Sequence, residues 1–192
     1  MSDLAVQPPL TPVAGRGCDG CTMCCKLLPV RELAKPAGTW CQHCEPGTGC
    51  RIYPERPQAC RDFFCGWMLN GEVAAHWRPR ESRMVLNFQA TLKRTVVHVD
   101  PSRPDAWRKP PYHAELQVVA TRMAEAGGYV LIACGVNHTI MLARQEFKLE
   151  RMVPSDKIVI SRRPGPAGPV YSIKLVPDEA DMQAAADSAA QL

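Results

Sequence analysis

The sequence predicts an α+β protein: a small, metal-stapled, cysteine-rich module of loops and short helices packed on a domain with an antiparallel sheet and one main helix. Two observations predict this. Nine of the ten cysteines lie between Cys18 and Cys65. Residues 81–176 instead combine short β-type runs with one stretch of helical periodicity. The contents of 46% hydrophobic and 22% charged residues are ordinary for a folded protein and exclude a wholly disordered chain.

Composition divides the chain into five segments. Residues 1–15 form a Pro-rich polar tail that we expect to be disordered, and residues 177–192 form a second flexible tail. Residues 16–70 are the cysteine module, which is rich in Gly, Pro and Arg and poor in branched aliphatic residues. Residues 71–80 are a connector, and residues 81–176 form the α+β domain.

Hydrophobic patterning predicts the elements of the second half in order. MVLNF at 84–88 and TVVHV at 95–99 are strands separated by a polar turn. Apolar residues at 116, 119, 120 and 123 predict a helix over 114–126, which Gly127-Gly128 ends. YVLIACG and HTIMLAR follow with a hairpin turn at 135–137, and the last strands are KIVIS at 157–161 and YSIKLV at 171–176.

Several classes of protein are excluded or disfavoured. No apolar run approaches the roughly 20 residues of a membrane-spanning helix, and the N-terminus lacks the apolar region of a secretory signal. We therefore expect a cytoplasmic protein, in a compartment where disulfides are rare. The net charge of +4 argues only weakly for nucleic acid. The common catalytic motifs are absent from the sequence, which favours a non-enzymatic role.

The cysteine spacing is typical of metal ligation. A Cys-x2-Cys pair places two sulfurs on one side of a tight turn, as a tetrahedral thiolate site requires. Gly20, between Cys18 and Cys21, can take the positive φ that such a turn needs. The adjacent Cys24 and Cys25 have diverging side chains, which favours two different metals. The candidate ligands are Cys18, Cys21, Cys24, Cys25, Cys41, Cys44, Cys50, Cys60 and Cys65.

The spacing leaves the metal open between zinc and iron, at one site or two. Two Cys-x2-Cys pairs ending at Cys24 and beginning at Cys41 are 16 residues apart, as in zinc ribbons. The opening Cys-x2-Cys-x2-Cys is similar to bacterial ferredoxins, which bind 4Fe-4S clusters. Here, however, Cys25 follows Cys24 directly, instead of after three residues. This departure weakens the iron–sulfur interpretation without removing it.

The motifs carry a family resemblance. CDGCTMCCKLLP at 18–29, KPAGTWCQHC at 35–44 and GCRIYPERPQACRDFFCGW at 49–67 resemble the YkgJ-type cysteine-cluster proteins, whose CxxCxxCC domain is described as zinc- or iron-chelating. The resemblance implies that Cys44 is an addition of a subgroup, and it names a chelating domain without a reaction. The cysteines on which the family pattern falls are Cys18, Cys21, Cys24, Cys25, Cys41, Cys50, Cys60 and Cys65.

Other residues near the motif have two interpretations. Arg51, Arg56 and Arg61 either offset the charge of thiolates or are solvated surface cations. His43 can replace a sulfur, but cysteines are in surplus, so we expect it not to ligate. The isolated Cys134 is expected to be a core thiol.

Three functions remain. The first is a cytoplasmic protein that binds zinc or iron for structure, storage or delivery, and it is the one we favour. The second is an iron–sulfur component of a redox or protein-modification system. The third is a zinc-finger-like adaptor for nucleic acid or protein, although residues 16–80 carry nine Lys and Arg against six Asp and Glu, a balance of only +3. A protein partner, not identified by the sequence, fits the first and third.

Overall fold

The computed structural model describes residues 11–149, 156–166 and 168–176. The predicted tails therefore lie outside the described residues, apart from residues 11–15. There the Val13 N–H donates to the carbonyl oxygen of Met68 at 2.8 Å, so this segment is attached to the cysteine module.

The cysteine module is built from short elements. Its first helix, α1, has Met23 and Leu27 one turn apart on a buried face. Two-residue strands form a small antiparallel ladder that pairs Cys44 with Cys50. The elements are α1 (Met23–Leu27), β1 (Cys44–Glu45), β2 (Gly49–Cys50), α2 (Gln58–Asp62), α3 (Gly66–Leu69) and, in the connector, α4 (Pro79–Ser82).

A five-stranded sheet with the order β3-β4-β5-β6-β7 forms the second half. Its neighbouring strands are antiparallel except β4 and β5, which are parallel. The expectation of an antiparallel sheet was therefore wrong at this pair, because a helix carries the chain back between them. The strands are β3 (Met84–Gln89), β4 (Arg94–Val99), β5 (Tyr129–Cys134), β6 (Asn137–Leu142) and β7 (Gln145–Leu149).

The predicted main helix is α5 (Tyr112–Glu125), which begins two residues before the expected position. Leu116, Ala120 and Ala124 are buried along one face. Gly127 then takes a left-handed φ of 76°, as the glycine at a helix end does. Within the described part of the chain, no helix is both long and apolar enough to cross a membrane.

The last two predicted strands form a separate antiparallel hairpin, β8 (Lys157–Arg163) and β9 (Val170–Val176). Tyr171 of this hairpin is buried in a cluster with Val96, Leu131 and Ile140 of the large sheet. Residues two apart on a strand share one face of a sheet. The hairpin therefore packs on the face that carries Val96.

The module and the sheet share one hydrophobic core. Met23, Leu27 and Trp67 of the module belong to the same buried cluster as Val97 and Ile132 of the sheet. Burial of each large side chain of this kind stabilises the fold by about 1.5–3 kcal/mol. The module therefore does not depend on its own few apolar residues alone.

A buried carboxylate also joins the two parts. Asp100, directly after β4, is fully buried, and Lys26 of α1 donates to it at 2.6 Å. Arg83 forms a second ion pair with the same carboxylate, and the Ser102 N–H donates to it at 3.0 Å. Burial on its own would raise the pKa of Asp100, but the Lys26 and Ser102 hydrogen bonds outweigh it and lower that pKa to about 2.

Candidate metal centre

The first Cys-x2-Cys pair forms the predicted tight turn. The Cys21 N–H donates to the carbonyl oxygen of Cys18, and Gly20 between them has a φ of 74°. A Cβ at Gly20 would lie 2.8 Å from the carbonyl oxygen of Gly47. Glycine is therefore required both for the conformation of the turn and for its contact with the loop between β1 and β2.

Four cysteines line one cavity of about 30 Å³. They are Cys18 and Cys21 of the turn, Cys24 of α1, and Cys65 immediately before α3. Cys18 is exposed and Cys65 is buried, so the cavity reaches the surface at Cys18. The thioether sulfur of Met68 lies 4.0 Å from the Cys18 sulfur. The structure thus brings the two ends of the cysteine module together around one space.

Two residues that line the same cavity, Trp67 and Arg78, carry buried nitrogen donors. The Trp67 Nε1–H and the Arg78 Nε–H have no hydrogen-bond partner in the described part of the chain. The Arg78 guanidinium lies 5.6 Å from the Trp67 ring centroid, and that of Arg16 lies 5.0 Å from it. A buried donor without an acceptor costs about 1–3 kcal/mol. The donor set therefore suits a cavity content that accepts hydrogen bonds and carries negative charge.

The other five candidate ligands form a second group, which consists of Cys25, Cys41, Cys44, Cys50 and Cys60. The Cys41 N–H donates to the carbonyl oxygen of Cys25 at 3.0 Å, and Cys44 pairs with Cys50 in the small ladder. Burial, reinforced by Cys25, raises the pKa of Cys44 to about 12. Burial also raises the pKa of Cys60, with further contributions from Cys25, Cys41 and Cys50. These mutual effects reflect thiols that lie close together.

Cys24 and Cys25 lie where the two groups of cysteines meet. They are successive residues of α1 and therefore project about 100° apart around the helix axis. Cys24 lines the cavity. Cys25 contributes to the raised pKa values of Cys44 and Cys60 in the second group, and also to that of Cys18 in the cavity. The Cys24 and Cys25 thiols are hydrogen-bonded to each other, which is the largest influence that raises the pKa of Cys25, so the predicted divergence of their side chains is wrong.

Lys35 places a buried positive charge beside the second group. Its ammonium donates to the carbonyl oxygens of Lys26 at 3.2 Å, of Pro36 at 3.0 Å, and of Leu28. Burial lowers the pKa of Lys35, while nearby thiols act to raise it, Cys41 foremost, followed by Cys25, Cys24 and Cys60. The three carbonyls hold the ammonium in place, so its charge is fixed close to these thiols.

The arginines singled out in the sequence lie mostly at the surface. Arg51 is exposed and reaches Glu45 only at 4.0 Å. Arg61 donates to the carbonyl oxygens of Arg56 at 2.8 Å and Pro54 at 2.9 Å. Arg56 packs on an exposed tyrosine ring 3.8 Å away. Its charge lowers the pKa of Cys18, although burial outweighs it and raises that pKa overall.

The remaining candidates lie apart from the thiol groups. The His43 Nε2 faces the side-chain amide of Gln42 at 3.2 Å. Cys134 is half-buried at the end of β5 and packs against the main core, where burial raises its pKa.

The thiols lie in two groups, but in neither group are the sulfurs arranged around a common point. Within residues 11–149, 156–166 and 168–176, no three His, Cys, Asp or Glu side chains meet in an arrangement that could hold a metal ion. All ten cysteines are free thiols. Side-chain rotations would be needed for the sulfurs of either group to share an ion, and cysteine has a single χ angle for this purpose.

Comparisons with known proteins give no assignment. No family model, no curated protein and no solved structure matches the chain. The resemblance of the cysteine motif to the YkgJ-type family therefore stays a prediction, and a function has to be argued from the site.

Proposed function

We propose that this protein binds zinc or iron in its cysteine module, at two thiolate sites. The observation that supports this most directly is the cavity lined by Cys18, Cys21, Cys24 and Cys65, because Cys65 is about 40 residues away from the other three in the sequence. Four cysteines are the ligand set of a closed tetrahedral site for zinc or mononuclear iron. The second site would draw its ligands from Cys25, Cys41, Cys44, Cys50 and Cys60.

The surrounding charges fit metal–thiolate sites. Four thiolates around one divalent ion carry a net charge of −2. Arg78 lines the cavity, and Lys35 is held beside the second group. A bound ion would replace the protons of crowded thiols and crosslink loops that are distant in the chain. The residues present therefore suit the group, although their side chains are not yet arranged around an ion.

The size of the cavity bears on the choice of metal. A volume of about 30 Å³ is enough for one ion or one or two waters. We therefore favour a single ion in the cavity. The iron–sulfur alternative would place its cluster in the second group, which offers five cysteines.

A biological role follows from chelation. We infer that the protein is cytoplasmic, since ten free thiols suit a reducing compartment. The bound ions would serve structure, storage or delivery, and membership of the YkgJ-type family is part of this proposal.

The test is elemental analysis of the full chain purified without oxygen. We expect about two zinc or iron ions per chain, with Cys65→Ser and Cys60→Ser each losing a different one. Cys65→Ser should leave the ion of the second site bound, and Cys60→Ser should leave the ion of the cavity bound. About four iron ions with inorganic sulfide would support the cluster alternative. A chain that takes up no metal, or variants that both lose every ion, would overturn the two-site proposal.

A further inference from the structure

The cavity contains two features that the cysteine motif does not include. Trp67 and Arg78 line it, and the buried Trp67 Nε1–H and Arg78 Nε–H have no acceptor in the described structure. Among the lining side chains, those that gain strength as hydrogen-bond acceptors on ionisation are the thiols of Cys18, Cys21, Cys24 and Cys65. A neutral thiol is a weak acceptor, whereas hydrogen bonds to ionised groups are about twice as strong as neutral ones.

Both donors are held by contacts away from the thiols. The Arg78 carbonyl oxygen accepts from the N–H groups of Glu81 at 2.9 Å and Ser82 at 3.0 Å, which fixes its backbone at the start of α4. The Trp67 carbonyl oxygen accepts from Arg16, whose guanidinium also donates to Asn70 at 2.9 Å. These bonds hold the backbone at both positions without using the donors that line the cavity.

The charges near the cavity give a second reason to expect that Arg78 interacts with its thiolates. The cavity wall is largely apolar, and a metal–thiolate group with a charge of −2 is costly there unless cations lie close. Arg16 and Arg78 both lie against the Trp67 ring, at 5.0 and 5.6 Å from its centroid. Arg78 lines the cavity and also lies 3.9 Å from the Asp19 carboxylate, so it compensates part of the charge of −2 that four thiolates around a divalent ion carry.

We propose that Arg78 and Trp67 are positioning residues of the cavity site, which donate N–H hydrogen bonds to its thiolate sulfurs and thereby favour a single divalent ion with four thiolate ligands. This inference rests on the proposed metal-binding function. It adds two residues that no cysteine spacing indicates.

The experiment titrates the full-length protein with Co²⁺, whose sulfur-to-metal charge-transfer absorption reports thiolate ligation. Cys65→Ser identifies which part of the absorption belongs to the cavity site. We expect Arg78→Met to weaken Co²⁺ binding at that site by about 10- to 100-fold and leave the other site unchanged. Trp67→Phe should weaken the same site, and both variants should shift its charge-transfer band to lower energy because the sulfurs lose hydrogen bonds.

Two controls separate a direct effect from a loss of fold. Arg122→Met removes an exposed arginine of α5 and should bind Co²⁺ like the wild type. Arg78→Lys keeps the charge and should give an affinity between wild type and Arg78→Met with the same direction of band shift. Unchanged affinity and spectrum in Arg78→Met and Trp67→Phe would overturn this inference while leaving metal binding intact. A wild-type chain without Co²⁺ thiolate absorption would overturn the proposed function itself.

Discussion

Asp100→Asn should cost the protein about 2.5 kcal/mol of unfolding free energy at pH 7. The carboxylate is fully buried between Lys26 and Arg83, and its pKa is lowered from 3.8 to about 2. A difference of nearly two pKa units corresponds to about 2.5 kcal/mol in favour of the ionised form in the folded state. Asparagine keeps the shape and an acceptor for Ser102, but it leaves two cations without their counter-charge.

The sign of the pH dependence follows from the lowered pKa. The stabilisation is fully present above the unfolded pKa of about 3.9 and is lost as the pH falls towards about 2. Urea unfolding followed by tryptophan fluorescence measures the loss in wild type and Asp100→Asn at pH 7 and at decreasing pH. The gap between the two proteins should be constant down to about pH 4 and then narrow.

Glu45→Gln is the matched control, because it removes a carboxylate from an exposed pair with Arg51 at 4.0 Å. Its effect should not exceed about 0.5 kcal/mol. If Asp100→Asn lost no more than this control, the buried carboxylate would not be the electrostatic link between α1 and the sheet.

Three further changes test other parts of the structure. Gly66→Ala should destabilise the protein by about 1–3 kcal/mol in urea unfolding, because its methyl group would lie 2.7 Å from the Phe88 ring. The control Gly71→Ala should be nearly neutral, because its methyl group would lie 4.0 Å from the nearest atoms. Burial lowers the pKa of His98 from 6.5 to about 4. The free energy of unfolding should therefore fall by about 2 kcal/mol between pH 7 and pH 5, because His98 takes up a proton in the unfolded chain but not in the folded one. His98→Leu should remove this part of the pH dependence, and an unchanged slope would contradict it. Cys134→Ser should keep the full metal content in elemental analysis, and a lost ion would mean that this thiol is a ligand.

Most strands and the main helix could be predicted because their patterns are strong. TVVHV is rich in β-branched residues, and Leu116 and Ala120 repeat at helical spacing on the buried face of α5. Strand β7, with the sequence QEFKL, was not predicted because three of its five residues are polar or charged and it lies at the edge of the sheet. The parallel pairing of β4 and β5 did have a signal, since a 14-residue helix between two strands is typical of a parallel crossover.

The candidate site was predictable only in part. The turn at Gly20 follows from local geometry, which spacing reveals. Arg78 and Lys35 come close to the thiols through tertiary folding, and neither has a fixed spacing from a cysteine that would mark it. Trp67 is a residue of the main core. Its unpartnered N–H is visible only in three dimensions.

The link between Lys26 and Asp100 spans 74 residues of chain, and this sets an order of events during synthesis. A ribosome adding 5–20 residues per second needs roughly 4 to 15 s to make that stretch. Cys41 to Cys65 are made within this interval, before the strand β5 that helps to bury Met23 and Leu27. A metal ion bound early would have to stabilise a module that is not yet packed on the sheet. An ion bound later would enter a cavity that has already formed. The cysteine module is therefore packed against its final partners only after the sheet is complete.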